Sequence, residues 1–202
     1  MRFRMSTAGP RAFEPLLLMG GLPDGGVVFA DSSGYAIKVV ASDGTLVRIL
    51  RRPFEPRPVT ERMEEAERER RLQELQDGGG PRIRLMTGGP GGAPPREVSQ
   101  DAVREMMRGQ IEALEFFPEL PVLMDLSTSW TGKVWAQRRG SSPTEPGPID
   151  VMTPGGRYIG SLDPGETSFP DAFGPGGLAA FVQSDALGVP VVVVRRLPPV
   201  LN

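Results

Sequence analysis

Two absences limit the chemistry open to this sequence of 202 residues, which contains no histidine and no cysteine. A Ser-His-Asp triad, a Cys-His dyad, an H-E-x-x-H zinc site and an imidazole proton shuttle are excluded. So are disulfides, thiolate nucleophiles and zinc fingers. Chemistry is left to carboxylates, hydroxyls, arginines, the lysines Lys38 and Lys133, and hard cations held by oxygen. The candidates stand in polar segments between apolar runs: Asp31, Ser33, Tyr35, Arg138, Arg139, Asp163, Glu166 and Asp185. Brought together, Asp31, Asp163, Glu166 and Asp185 would hold Ca2+ or act as general bases, with Lys38 or Tyr35 moving a proton. Arg138 and Arg139 suit bidentate recognition of an anion. No run has the spacing of an EF-hand loop, and ordinary polar turns draw on the same residue types.

These residues meet only if the elements between them bring their loops to one place. Strands are expected over residues 16–19, 27–30, 36–41 and 46–50, separated by Pro23-Asp24-Gly25-Gly26, Asp31-Ser32-Ser33-Gly34 and Ser42-Asp43-Gly44-Thr45. Asp-Gly favours a tight hairpin because it tolerates positive φ. The same grammar returns over residues 121–126, 133–136, 149–153 and 157–162. Residues 37–44 align without a gap on residues 149–156, so a strand, turn and strand repeat as a unit. A third segment supplies strands over 171–173, 178–182 and 190–197, with no fourth.

Four-stranded meanders with Gly-rich turns, repeating every ~40–45 residues, are the signature of a β-propeller. One set of residues carries a closer likeness: Asp24-Gly25-Gly26-Val27-Val28-Phe29-Ala30-Asp31 and Val39-Val40-Ala41-Ser42-Asp43-Gly44-Thr45-Leu46-Val47-Arg48. Gly132-Lys133-Val134-Trp135-Ala136 and Asp150-Val151-Met152-Thr153-Pro154-Gly155-Gly156-Arg157-Tyr158-Ile159-Gly160 add to it. Over residues 12–53 and 119–200 the sequence resembles the six-bladed β-propellers of the NHL and TolB-like type. The resemblance implies an all-β fold, here a partial propeller of four-stranded antiparallel blades with an α-helical insertion between two blades. It implies no particular activity, because such propellers bind, scaffold or catalyse. Two full blades and three further strands fall short of six. Propellers of this type often complete a blade with a strand from the opposite terminus, which implies that Asn202 is a true C-terminus. The remaining blades are then lost by truncation or supplied by a second chain.

The domain organisation that follows is a tail at 1–11, a blade at 12–53, a helical and Gly/Pro-rich insertion at 54–118, a blade at 119–163 and an incomplete blade at 164–202. Thr60 caps a helix running to about Gln76, with Glu61, Glu64 and Glu65 in its first turn and a thin apolar stripe of Met63, Ala66, Leu72 and Leu75. A flexible stretch from Gly78 to Pro95 follows, with no G-K-[ST] to suggest a phosphate loop. Ser99 caps a second helix to about Phe116, with Val103, Met106, Met107, Ile111 and Leu114 on one face. Phe29, Trp130, Trp135 and Tyr158 are expected to pack between blades. Alternation of loops along a meander puts the insertion at the same end as the loops carrying Asp31, Ser33, Tyr35, Arg138, Arg139, Asp163, Glu166 and Asp185. That end is the default ligand site.

The 23 basic and 25 acidic residues do not make a nucleic-acid surface. Leu16-Leu17-Leu18-Met19 is far shorter than the ~20 residues of a membrane span, and residues 1–10 lack the apolar core of a signal peptide. The expected compartment is cytoplasmic, or periplasmic or secreted if an N-terminal part with a signal peptide is missing. The function expected is binding or scaffolding without catalysis and without a resident cofactor, with a protein or small-molecule ligand at the propeller mouth and self-association through open blade edges. The alternative is a Ca2+-dependent hydrolase or lyase built on the channel-mouth carboxylates.

Overall fold

The computed structural model describes residues 11–77, 86–87, 96–97 and 100–201. Most of the expected tail, the expected flexible stretch apart from the short strand at 86–87, and the Ser99 cap lie outside the described residues. In chain order the elements are β1 (Leu18–Gly21), β2 (Val27–Ala30), β3 (Ala36–Val40), β4 (Leu46–Arg51), β5 (Arg57–Pro58), α1 (Glu61–Gln76), β6 (Met86–Thr87), β7 (Arg96–Glu97), α2 (Gln100–Glu112) and β8 (Glu119–Leu120). β9 (Leu123–Thr128), β10 (Val134–Arg139), β11 (Pro146–Met152), β12 (Tyr158–Leu162), β13 (Ala172–Gly174), β14 (Leu178–Ser184) and β15 (Pro190–Arg196) follow. The chain falls into two compact units, Met1–Ala12 with Val59–Pro118, and Phe13–Pro58 with Glu119–Asn202.

The larger unit is all-β. Its first sheet is ordered β1-β2-β3-β4, its second β12-β11-β10-β9 and its third β13-β14-β15, every neighbouring pair antiparallel. A short β5-β8 pair joins the chain leaving the first sheet to the chain approaching the second. Five hairpins share one geometry. In the loops Leu22–Gly26, Ala41–Thr45, Ser129–Lys133, Thr153–Arg157 and Asp185–Val189, the first N–H donates to the fifth carbonyl and the fourth N–H donates back to the first, all at 2.8–3.0 Å. The fourth residue is always glycine, at φ between +76° and +89° (Gly25, Gly44, Gly132, Gly156, Gly188), a region closed to most side chains. The repeat reaches the irregularities too: the register of β3 on β4 slips between Val39 and Val40, and that of β11 on β12 between Val151 and Met152, the aligned positions.

Strand alternation decides what is buried. The first sheet turns Val28, Ala30, Ile37, Val39 and Leu50 toward Leu126, Val134, Ala136 and Met152 of the second. The opposite face of the second sheet sends Trp135, Ile149 and Val151, all essentially unexposed, against Phe169, Phe173, Leu197 and Leu201. Trp135 and Phe173 meet with ring centroids 5.2 Å apart. Each such aliphatic or aromatic side chain contributes about 1.5–3 kcal/mol on leaving water, and the second sheet gathers this contribution on both faces. β1 and β9 approach so closely that a Cβ on Gly20 would lie 2.9 Å from Thr128 Cγ2 and 3.1 Å from its backbone nitrogen. The Thr128 hydroxyl donates to the Gly21 carbonyl across this contact.

The smaller unit packs α1 against α2. The Thr60 side chain accepts from Met63 N at 3.4 Å and opens α1. The residue most buried on α1 is not in the expected apolar stripe; it is Glu67, held by Arg70 Nε at 2.8 Å and Arg71 Nε at 2.7 Å, while Ala66 is exposed. On α2, Val103, Met107 and Ile111 are half-buried and Met106 is exposed. The second helix ends at Glu112 and not near Phe116. Its continuation is diverted because Ala12 donates to Glu115 O and Phe117 donates to Ala12 O, just ahead of Pro118.

Two outcomes test this packing. Gly20→Ala is expected to cost about 1–3 kcal/mol, as an overpacked contact does, whereas Gly21→Ala, with nothing within 4 Å of its Cβ, changes little; urea denaturation of both checks the pair. At Glu67, burial opposes the charge, but Arg70 and Arg71 outweigh it and hold the carboxyl below its ordinary 4.5. A lowered carboxyl pKa gives stability that is complete above about pH 4.5 and fades as pH falls through the lowered value. The stability difference between the chain and Glu67→Gln therefore shrinks from pH 6 to pH 3, and a difference independent of pH contradicts the pairing.

Candidate functional site

Antiparallel order places residues 31–35, 52–58, 119–122 and 139–146 at one end of the first two sheets, and hydrogen bonds tie these loops together. Val122 N donates to Ser33 O at 2.8 Å, and Ser33 Oγ donates to Glu119 Oε2 at 2.7 Å. Arg57 reaches across with Nη1 to Ser141 O at 2.6 Å and Nη2 to Gly140 O at 2.7 Å. Gly147 lets β10 and β11 close below the loop, since its Cβ would stand 2.8 Å from Arg139 O and 2.9 Å from Arg138 O.

Beneath this end, in the seam between the first and second sheets, lies a buried charge. Asp150, in the middle of β11, has no exposed surface. Alternation turns it to the same side as Ala136 and Met152, toward the first sheet. Arg52, just past β4, places Nη1 2.7 Å from Asp150 Oδ1, and Arg138 of β10 places Nε 3.2 Å from Oδ2. Ser161, opposite Asp150 on β12, donates its hydroxyl to Oδ1 and lies 2.7 Å from Tyr158 Oη. Aromatic faces hold the guanidiniums: Phe54 lies 5.0 Å from the Arg52 guanidinium carbon and 4.2 Å from that of Arg138, and Tyr158 4.2 Å from that of Arg52. Burial works against the Arg52 charge, yet Asp150 and the Tyr158 phenol outweigh it and raise its pKa. Burial, reinforced by the charge of Asp150, pushes the Tyr35 phenol far above its ordinary 10.0.

The expected site residues divide into four groups. Tyr35 and Arg138 converge on Asp150, but as structural parts. The raised pKa keeps the Tyr35 phenol protonated. Arg139 is not free to grasp an anion. Its Nε donates to Pro121 O at 2.9 Å and its Nη1 to Pro143 O, and burial, with the nearby Arg57 charge, lowers its pKa. Asp31 forms an ion pair with Lys38 at 2.6 Å, beside Phe29, and Ser33 belongs to the loop network already described. Glu166 accepts from Asp163 N at 2.9 Å, and Asp185 Oδ1 accepts from Leu187 N at 2.8 Å and Val189 N at 2.9 Å, so both carboxylates shape their own turns. Among the described residues no three acidic side chains gather as a metal cluster. Trp130 and Tyr158 are largely exposed, in contrast to the packing expected of them, while Trp135 is fully buried.

Asp150, Arg52, Phe54 and Ser161 were not anticipated. A signal existed for one of them: Asp150 sits between Ile149 and Val151 in an otherwise apolar strand, so alternation alone turns a carboxylate toward the sheet face that also carries Met152. The chain matches no family model and no curated relative.

A carboxylate with no exposed surface cannot touch a substrate, so the cluster acts as a clamp between sheets. Breaking a buried ion pair from one side leaves uncompensated charge and costs about 3–5 kcal/mol. Asp150→Ala is expected to lose stability on that scale in urea unfolding, and a loss below about 1 kcal/mol contradicts the clamp.

Proposed function

We propose that this chain is a non-enzymatic binding or scaffolding module, part of a six-bladed β-propeller of the NHL or TolB-like type. The repeated hairpin geometry and the stacking of three antiparallel sheets in chain order support the propeller reading. One observation carries the non-catalytic reading: three of the four acidic candidates, and the buried Asp150, are used by the fold. Asp31 is bound to Lys38, Glu166 and Asp185 accept from backbone amides of their own turns, and Asp150 is enclosed by two arginines. What the loop end offers a ligand is a hydrogen-bonded surface of short loops, which is how propellers present ligand-contacting side chains. A protein or small-molecule ligand at residues 31–35, 119–122 and 139–146 is the reading that fits. No helix among the described residues is long and apolar enough to cross a membrane.

Thermal melts in Ca2+ and in EDTA separate this reading from a metal-dependent hydrolase or lyase. Ca2+ at a hundred times its dissociation constant would add about 2.7 kcal/mol to a chain with a genuine site, roughly 5–10 °C for a chain of this size. The expected result is superimposable melts, and a Ca2+-dependent rise of that order overturns the non-enzymatic reading.

A further inference from the structure

Within the larger unit, the described residues cover both faces of the second sheet and one face each of the first and third. The uncovered face of the third sheet carries Ala172, Ala180, Val182, Val192 and Val194, and the three valines are 54%, 67% and 59% exposed. The open face of the first sheet carries exposed Met19 and half-buried Val27, Phe29, Val40 and Ile49, with Lys38, ion-paired to Asp31, between Phe29 and Ile49. An apolar surface on this scale in a folded chain marks a contact site.

The repeat says what each face is built to meet. Hairpin by hairpin, Met19, Val27 and Phe29 correspond to Leu126, Val134 and Ala136, and Val40 corresponds to Met152. Those four residues of the second sheet are the ones that the first sheet buries. The open face of the first sheet is thus equivalent to a face that receives a preceding sheet. On the third sheet, Phe173, Ala179 and Phe181 are on the side turned toward the second, so its open face is the one that covers a following sheet. The two open faces are the two halves of the contact already made inside the chain between the first and second sheets.

We infer that the occupant of both faces is a second copy of this chain, joined head to tail: the third sheet of each copy covers the first sheet of the other. Two such contacts, related by a two-fold axis, close on themselves and leave neither apolar face in water. Six sheets then form one ring, and a contact of this kind needs no strand exchange. The assignment rests on the sheet faces and is independent of any ligand at the loop end.

Light scattering on the full chain tests the pairing. The mass expected is twice 21.8 kDa, falling to the single-chain value on dilution. Val192→Glu alone and Met19→Lys alone each spoil both contacts and give single chains, with circular dichroism and melting unchanged in kind to show that each still folds. Mixing the two variants in equal amounts rebuilds one intact contact per pair and restores the double mass. A single-chain mass at every concentration overturns the inference, as do a dimer indifferent to both substitutions and growth into open filaments. Failure of the mixture to pair, with each variant folded, shows a like-on-like contact and overturns the head-to-tail arrangement.

Discussion

A carboxylate removed entirely from water has to be neutralised where it stands, and the arrangement of the first two sheets follows from how Asp150 meets that demand. Its partners come from both sides of the seam, Arg52 from the end of β4 and Arg138 from β10. The desolvation of such a group costs several kcal/mol and is offset only when geometry and hydrogen bonds are good. A slip of one residue in β4 would turn Arg52 to the other face and leave Asp150 with one cation. The charge therefore disfavours that register. Phe54, lying against both guanidiniums, then sets the path by which the chain leaves the first sheet and reaches β5.

From that seam the apolar packing spreads in both directions. Ile37 and Val39 on one side, and Ile149 and Val151 on the other, occupy aligned positions and do the same work in successive sheets. The aligned residue for Asp150 is Lys38, which faces outward and is satisfied by Asp31. One repeat position thus carries a buried acid in the second sheet and an ion-paired lysine in the first. At the loop end, Arg57, Ser33 and Arg139 tie neighbouring loops together by hydrogen bonds.

The strands were legible because two local signals agreed, apolar alternation and glycine at the one turn position that requires positive φ. Gly25, Gly44, Gly132, Gly156 and Gly188 mark the turns and leave little choice for the strands between them. The site was less legible. Tyr35 and Arg138 were singled out for their reactive groups, yet what they do is decided by Asp150, more than a hundred residues from Tyr35 in sequence, and no spacing rule links them. Arg139 reads like its neighbour Arg138, but alternation sends one into the seam and the other onto main-chain carbonyls. The early end of α2 was hidden for a similar reason, since its cause is a backbone pairing with Ala12 from the other side of the unit. Local patterns determine which residues form an element; long-range charge and backbone pairing determine which way it faces and where it stops.

The most direct measurement of the seam is a double-mutant cycle on Arg52→Met and Asp150→Asn, read by urea unfolding of all four chains. Residues in direct contact couple by about 0.5–3 kcal/mol, and a buried charge shared between sheets belongs in the upper part of that range. The account predicts a coupling above about 1 kcal/mol, with the double variant recovering part of what Asp150→Asn and Arg52→Met lose separately. Additivity of the two losses to within about 0.5 kcal/mol would show that Arg52 and Asp150 do not join the sheets, and would contradict it.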